Sequence, residues 1–538
     1  MSKRKLIAVA LLAIVPATAG AFLLQGREPA DGARLFAQVL QRIEDSAVDS
    51  LSRNALYEKA ARGLIKNLRD PYADLYSPEE LASFQRNTLR NNYGGLGMQI
   101  EPQEDFIVVA RVFPNTPAAN GGVLPGDRIL QVDSVPTTGM RLDQVSGRLV
   151  GRPGTSVEAV FQRPGVPQTI RTRFVRAVIR VPAVPYTLSL DGSVGYIPLQ
   201  SFNESSADDV ERSLAALKER GARSFVLDLR GNGGGSLEQA LEISNLFLRP
   251  GQEIARVRHR SRSPEVYKAN RASVVDSMPV VVLVDGGSAS ASEIVAGSLQ
   301  DHDRALVVGT TSFGKGLVQT LFPIDGGWAI KLTTGKWYTP SGRSIQAEHD
   351  RMDDERFVEY VQPDSAPGDS AKARPLFRSD AGRTIYGGGG VTPDVLVRPD
   401  TANAAERELL KAIAPASQTW YVTLYNYALE QKSSLRPGFT VTQAMRDEFF
   451  QRLVKAKVPV TRSLFDGAPE LVERNMEEWL TRLAFGDSAW ARARAKDDPQ
   501  MVSALDYLRR GTTQRHLLAL ADEAARARPR EERQQQQH

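Results

Sequence analysis

Cysteine is absent from all 538 residues, which excludes disulfides and thiolate metal sites and leaves sulfur silent about redox compartment. Histidine is scarce: His259, His302, His349, His516 and His538 are the whole supply. His302, in the polar stretch Leu299-Gln-Asp-His-Asp-Arg304, has no second histidine at the H-x-x-x-H spacing of a metal pair. A dominant charge is missing too. The 68 basic residues are offset by 63 acidic ones, a net +5, which suggests a mixed surface without a nucleic-acid stripe. What is there is core material: a hydrophobic content of 41% over a length that suits roughly three to four domains.

The N-terminus reads as an export signal. Met1-Ser-Lys-Arg-Lys5 is a basic start, Leu6 to Leu24 is apolar with Pro16 inside, and Ala17-Thr-Ala19 and Ala19-Gly-Ala21 offer small-residue cleavage sites. The apolar run is close to the ~20 residues that span a bilayer, so residues 1–25 are expected to be a signal peptide or a membrane anchor. Export to the periplasm follows, with the anchored form placing the protein at the inner membrane. Leu35, Val39, Leu40 and Ile43, then Leu56, Ala60, Leu64 and Leu68, recur at helical spacing and predict a helical region over 31–90. From Tyr93 short β-like runs separated by Gly and Pro take over. After Gly192 strands alternate with helices: strands at 194–199, 224–229 and 280–284, helices at 206–220 and 237–248, the pattern of an α/β core with much parallel pairing. Helical periodicity returns over 401–525, and the charged, Gln-rich 526–538 reads as a disordered tail.

Four segments carry chemistry. Tyr93-Gly-Gly-Leu-Gly97 exposes backbone N–H groups that can hold a carboxylate beside a sheet edge able to accept a peptide, although a plain turn reads the same way. Asp228-Leu-Arg-Gly-Asn-Gly-Gly-Gly235 lies between strand and helix, where its glycines suit either an oxyanion site or an ordinary turn. In Val280-Val-Val-Leu-Val-Asp-Gly-Gly-Ser-Ala-Ser-Ala-Ser-Glu293, an apolar strand runs into a sharp turn and a helix. That geometry suits a nucleophile at Ser290 on a helix N-terminus, with the two glycines allowing the bend and close approach of substrate backbone. Ser290-Ala-Ser-Glu293 equally fits a capping box, and Ser288 or Ser292 serves the chemistry as well as Ser290 does. The fourth segment, Gly309-x-x-x-x-Gly314-Lys315, nearly matches a phosphate-binding loop but has Gly316 where a magnesium-holding Ser/Thr is needed. Lys315 reads better as a general base, neutral when buried, with Gln319 on the same helical face to orient its amine. His302 keeps a Ser-His arrangement open.

Taken together the motifs resemble the C-terminal processing peptidases, also called tail-specific proteases. The resemblance runs from about Leu35 to Pro399. It is carried by Asp70-Pro-Tyr-Ala-Asp-Leu-Tyr-Ser-Pro-Glu79, Gly94-Gly-Leu-Gly97, Gly195-Tyr-Ile-Pro-Leu-Gln-Ser-Phe202, Asp228-Leu-Arg-Gly-Asn-Gly-Gly-Gly235, Gly287-Ser-Ala-Ser-Ala-Ser-Glu293, Phe313-Gly-Lys-Gly-Leu-Val-Gln319 and Thr333-Thr-Gly-Lys-Trp-Tyr-Thr-Pro-Ser-Gly-Arg343. Asn115-Thr-Pro-Ala-Ala-Asn-Gly-Gly-Val-Leu-Pro-Gly-Asp-Arg-Ile-Leu130 adds the look of a PDZ domain, with Asp133-Ser134 in place of the usual Asn-Gly turn.

The resemblance implies a mixed α/β fold: a ClpP/crotonase-like α/β protease core over 179–400, interrupted by an insertion at 347–390, with a PDZ domain over 91–178. It implies a Ser-Lys dyad of Ser290 and Lys315 assisted by Gln319, and an oxyanion hole from the amides of Ala291 and of Gly234 or Gly235. Gly95, Leu96, Gly97 and Met98 would form the PDZ carboxylate loop. No cofactor and no metal are needed. The expected partners are proteins or peptides with accessible C-termini and no nucleic acid; an adaptor protein and a homo-oligomer stay open. The favoured function is an exported serine endopeptidase, the alternative a catalytically idle PDZ-containing peptide-binding scaffold. Thr310, Ser312 and Asp285 depart from the family's usual residues beside the site. The acidic, then glycine-rich insertion is expected to be a mobile loop near the cleft.

Overall fold

Continuous apolar runs such as Val280–Val284 demand cover on both sides, and the architecture is arranged to supply it. A computed structural model describes residues 30–85, 92–103, 106–113, 115–163, 166–260, 262–347 and 374–535. The expected leader over 1–25 and most of the 347–390 insertion lie outside them. No helix among the described residues is long and apolar enough to cross a membrane. The chain divides into two units, one from residues up to Ser77 with Thr320–Thr333, the other from Pro78–Gln319 with the chain from Thr334 onward.

In the smaller unit, α1 (Ala30–Ser46) and α2 (Arg53–Lys66) carry the expected periodic stripes, and the Ser52 hydroxyl caps α2 by accepting from the Ala55 N–H at 3.3 Å. Strand β1 (Asp74–Tyr76) pairs antiparallel with Ala329–Lys331, and Asp70 accepts from the N–H and the hydroxyl of Thr333. Leu40 and Leu56 are buried, whereas Leu35, Val39, Ile43, Leu64 and Leu68 are exposed. Two helices and a short strand cannot enclose a whole apolar stripe. Helix α3 (Pro78–Phe84), expected with this region, belongs to the larger unit.

The larger unit begins with a small β module. Strands β2 (Asn92–Gly95), β3 (Met98–Gln103) and β4 (Phe106–Val112) lead through α4 (Pro117–Asn120) to β5 (Arg128–Val132), β6 (Val135–Pro136), α5 (Leu142–Leu149), β7 (Ser156–Gln162), β8 (Ile170–Val175) and β9 (Ala177–Arg180). The sheet order is β3-β4-β5-β7-β8, with β6 on β5; β2 and β9 pair separately. Ile107, Val109, Ile129, Val145, Phe161 and Phe174 form its core. Asp133 and Ser134 both have positive φ, 45° and 66°, in the β5–β6 turn.

The next elements are β10 (Leu188–Leu190), β11 (Val194–Pro198), α6 (Ser206–Glu219), β12 (Ser224–Asp228), α7 (Leu237–Asn245), β13 (Glu253–His259), β14 (Glu265–Lys268), β15 (Val280–Val284), α8 (Ala291–Asp301), β16 (Leu306–Gly309), β17 (Leu317–Ile324), β18 (Trp328–Tyr338), β19 (Leu376–Arg378), β20 (Thr384–Tyr386) and β21 (Val395–Leu396). Six of them form the central sheet, ordered β10-β11-β12-β15-β16-β21, with every neighbour parallel except the antiparallel β10–β11 pair. Because side chains alternate along a strand, Val280, Val282 and Val284 point to one face and Val281 and Leu283 to the other. The first face is covered by α6, α7 and α8 through Val210, Leu214, Ile243, Ile294 and Leu299.

The remaining helices are α9 (Ala404–Ile413), α10 (Ser417–Gln431), α11 (Gln443–Lys455), α12 (Arg462–Gly467), α13 (Pro469–Phe485), α14 (Asp487–Arg494), α15 (Pro499–Arg510) and α16 (Gln514–Gln535). They do not make the single domain expected over 401–525. Helices α9 to α13 share a core around Leu409, Trp420, Phe449, Phe465 and Met476, while α15 and α16 cover the second face of the central sheet with Met501, Ala504, Leu505, Leu508, Leu517 and Ala521. A parallel sheet buried on both faces needs that second layer. Helix α10 also grips the β module: the Tyr421 hydroxyl donates to Glu101 at 2.6 Å, and Leu429 packs on Gly126. Helix α16 continues past Arg526 to Gln535, correcting the expected unstructured tail; Ala, Arg, Glu and Gln are all good helix formers. The described part of the insertion is likewise ordered. β19 and β20 form a hairpin, and Gly390 packs so closely on Ser312 that a Cβ would sit 2.2 Å from its carbonyl oxygen.

Candidate active site

Strand β15 ends at Val284, and the chain turns sharply before α8 begins at Ala291. Ser290 occupies the corner with φ 54° and ψ −109°, a conformation L residues with a Cβ avoid and surrounding structure must impose. It is partly exposed. The glycine at 287 has a packing role of its own. A Cβ on Gly287 would lie 2.9 Å from the Gly231 Cα, so this glycine brings two loops together.

The three alternating serines now separate. The Ser288 hydroxyl donates to the Leu229 carbonyl at 2.8 Å, and the Ser292 hydroxyl donates to the Asn232 carbonyl at 2.8 Å; both residues are fully buried. Each stitches the Ser290 turn to the glycine-rich loop. Among the described residues the Ser290 hydroxyl has no such bond, and the helix cap uses its backbone instead: the Ser290 N–H donates to Glu293 Oε2 at 2.8 Å. His302 is the C-cap of the same 11-residue helix, so about 18 Å of helix rise separates it from Ser290. Its ring nitrogens face the Asp380 carboxylate and the Glu253 carbonyl, each at 2.7 Å. No histidine base is available to Ser290 from there.

Lys315 enters through Glu293. This carboxylate is wholly buried, and its four hydrogen bonds tie the corner to the Lys315 segment. Oε2 accepts from the N–H of Ser290 at 2.8 Å and of Lys315 at 2.9 Å; Oε1 accepts from the Ser312 hydroxyl at 2.6 Å and the Gly314 N–H at 2.7 Å. Two nitrogens bonded to one oxygen can be no farther apart than the sum of those two bonds. Burial pushes the Glu293 carboxyl up, and its four donors pull the other way. Ser312, one of the departures from the family's usual residues, is therefore one of the donors that hold this centre. The Trp337 indole then donates to the Lys315 carbonyl at 3.1 Å, and the Trp337 N–H to the Gly316 carbonyl at 3.0 Å. Beyond Lys315 the chain enters β17 and not a helix, so the phosphate-loop reading fails for lack of a helix N-terminus. The same fact corrects the helical face expected for Gln319. It lies on β17, and in extended chain residues two and four apart share a side just as well.

The glycine-rich loop faces the corner from β12. A Cβ on Gly234 (φ 96°) would lie 2.7 Å from the Ala289 carbonyl oxygen and 2.9 Å from the Ala291 nitrogen, so loop and Ser290 turn are in direct contact. The Gly234 N–H donates to Asn232 Oδ1 at 2.9 Å. The amides of Gly235 and Ala291 have no partner among the described residues. They are the ones with donors to offer to an anion.

Gly95, Leu96, Gly97 and Met98 connect β2 to β3. Leu96 is buried in the module core. Its carbonyl accepts from the Ala118 N–H at 2.8 Å, and the Gly97 carbonyl accepts from the Phe113 N–H at 2.9 Å. In a trans peptide the N–H points opposite to the C=O, so the Gly97 and Met98 amides face away from that segment. Strand β3 ends the sheet, leaving one edge unpaired among the described strands, with α5 packed against it. An extended peptide fits such an edge. Among the described residues no cluster of His, Asp or Glu could hold a metal ion.

Glu293 is the residue that sequence reasoning missed. The capping box signalled its bond to Ser290, but nothing local signals the donors from Ser312, Gly314 and Lys315.

The chain is similar to known proteins over two of its regions. Residues 193–364 match peptidase family S41, and residues 108–163 match the PDZ domain family. A carboxy-terminal-processing protease of Bartonella bacilliformis is 37% identical over 316 residues, 58% of this chain and 72% of that protein. The carboxy-terminal processing protease CtpA of Bacillus subtilis is 35% identical over 305 residues, 57% of this chain and 65% of the relative. Among solved structures, a photosystem II D1 C-terminal processing protease is 27% identical, covering 66% of this chain and 85% of its own, with a TM-score of 0.36.

Proposed function

Because the chain belongs to the carboxy-terminal processing proteases, a family of serine-type peptidases, we propose that it is an exported endopeptidase that recognises protein C-terminal tails and cuts them with Ser290 and Lys315. One observation carries the reading: a single oxygen of Glu293 binds the backbones of both residues, at a corner where Ser288 and Ser292 are already committed. Ser290 Oγ attacks the scissile carbonyl and its proton passes to the neutral Lys315 amine, which Gln319 orients. The Ala291 and Gly235 amides receive the oxyanion. The lysine returns the proton to the leaving amine, and water then hydrolyses the acyl-enzyme. The tail's carboxylate sits on the Gly97 and Met98 amides while the tail adds a strand to β3.

The test is cleavage of a disordered peptide with an apolar C-terminus by the protein without its leader. Wild type cuts, Ser290→Ala and Lys315→Ala do not while keeping their melting temperatures, and the rate rises with pH because only the neutral amine is a base. A Ser290→Ala protein that cuts normally contradicts the assignment. Binding of the peptide with no cleavage by wild type would favour the idle scaffold. The leader reading is tested by fractionation: full-length chain in the periplasm or at the inner membrane, chain without residues 1–25 in the cytoplasm. A full-length chain found in the cytoplasm would refute export.

A further inference from the structure

The glycine-rich loop that faces Ser290 is held on its far side by residues 268 positions later in the chain. Arg230 stands at the start of that loop. Its Nε and Nη2 grip Asp228 at 2.7 to 3.1 Å, and Nη1 donates to Asp498 Oδ2 at 2.7 Å and to Gln500 Oε1 at 3.0 Å. Asp498 also caps α15: its other oxygen accepts from the N–H groups of Gln500 at 3.0 Å and Met501 at 3.2 Å. Gln500 is buried and donates to the Val397 carbonyl at 2.9 Å. Helix α15 is anchored on the central sheet by Met501, Ala504 and Leu505, so this cap is a fixed point.

Inside the loop the connection runs on to the nucleophile. The Gly231 N–H donates to Asp285 at 2.8 Å, and the Asn232 carbonyl accepts from the Ala289 N–H and the Ser292 hydroxyl. Burial works against the Arg230 charge, but Asp228 and Asp498 outweigh it and hold the guanidinium charged at any working pH. Both family matches end at or before residue 364, so neither reaches this cap.

We infer that Asp498, seconded by Gln500, is a positioning residue for peptide-bond cleavage: through Arg230 it sets the loop whose Gly235 amide meets the developing oxyanion. The inference rests on the Ser290 mechanism proposed above. Asp498 touches no reacting atom. Its loss leaves substrate binding intact and lowers transition-state stabilisation, because a displaced donor matters where charge develops.

Asp498→Asn is the discriminating variant, since asparagine caps a helix as well as aspartate does but, with its one oxygen on the cap, has neither charge nor acceptor left for the guanidinium. With the leaderless full chain and the disordered peptide, the expected result is a kcat about tenfold lower, a KM within about twofold of wild type and an unchanged melting temperature. The double variant Arg230→Gln with Asp498→Asn is expected to be no slower than Arg230→Gln alone, as two residues acting through one contact require. A wild-type kcat in Asp498→Asn, a loss confined to KM, or additive losses in the double variant would each overturn the inference. The Ser290→Ala control separates the two levels. If it is inactive and Asp498→Asn is normal, only the positioning role falls; if it cleaves like wild type, the mechanism and the inference fall together.

Discussion

The two faces of the central sheet are covered by helices of different origin. On the face bearing Val280, Val282 and Val284, the cover is α6, α7 and α8, each following a strand of the same sheet, and α8 opens with the Ser290 corner. On the face bearing Val281 and Leu283, the cover is α15 and α16, more than two hundred residues further on, and the cap of α15 holds Arg230. Both faces are buried. They differ in what stands at their helix N-termini: Ser290 at the strained corner before α8 on one, and on the other the Asp498 cap bound to Arg230 of the loop opposite. Burial alone therefore does not tell the two faces apart, and the polar atoms at the helix starts do.

Substitutions graded from the first face to the second sharpen this contrast. Ser290→Ala is expected to reduce peptide cleavage about 10⁴-fold or more, read from initial rates, with the fold intact. Glu293→Gln comes next. An amide NH₂ would replace one of two acceptors in a ring of four donors, so the Ser290 and Lys315 segments shift apart, and a loss of about a hundredfold in kcat is expected. A Glu293→Gln enzyme with normal kcat would mean that the shared oxygen does not set the catalytic geometry.

On the second face, Leu505→Ala is expected to cost about 2–4 kcal/mol of stability in denaturant unfolding, because a buried leucine leaves a cavity. At temperatures where the variant is folded, kcat should fall no more than a few-fold. A loss as large as that of Glu293→Gln would erase the distinction between the faces. The smallest effect is a control remote from both. Ser134 carries φ 66° in the β5–β6 turn, so Ser134→Gly relieves a strained backbone and should raise stability by about 0.5–1 kcal/mol without touching kcat.

Much of the first face is legible in the sequence, because its signals are local. Apolar strands run directly into Asp228–Gly235 and Gly286–Glu293, and helical periodicity follows each. The second face is not. Met501, Ala504, Leu505 and Leu508 announce a buried stripe, but periodicity does not say what a stripe is buried against. The site divides the same way. Ser290 is legible from its turn, and Lys315 from its place between two glycines. The strand carrying Gln319 is misread as helix because a spacing of four suits both periods once a residue or two is extended. Glu293 looks like a cap because only one of its four donors is near in sequence. Asp498 looks like nothing more than the residue before Pro499, a good start for a helix.

The most direct test of the account is covalent labelling with a fluorophosphonate, which forms a stable bond with an activated serine, followed by mass spectrometry of the digested protein. A single modification on Ser290, absent from Ser290→Ala and much slower in Lys315→Ala and Glu293→Gln, is the expected result. Label on Ser288 or Ser292, or equal labelling of Lys315→Ala, would contradict the account.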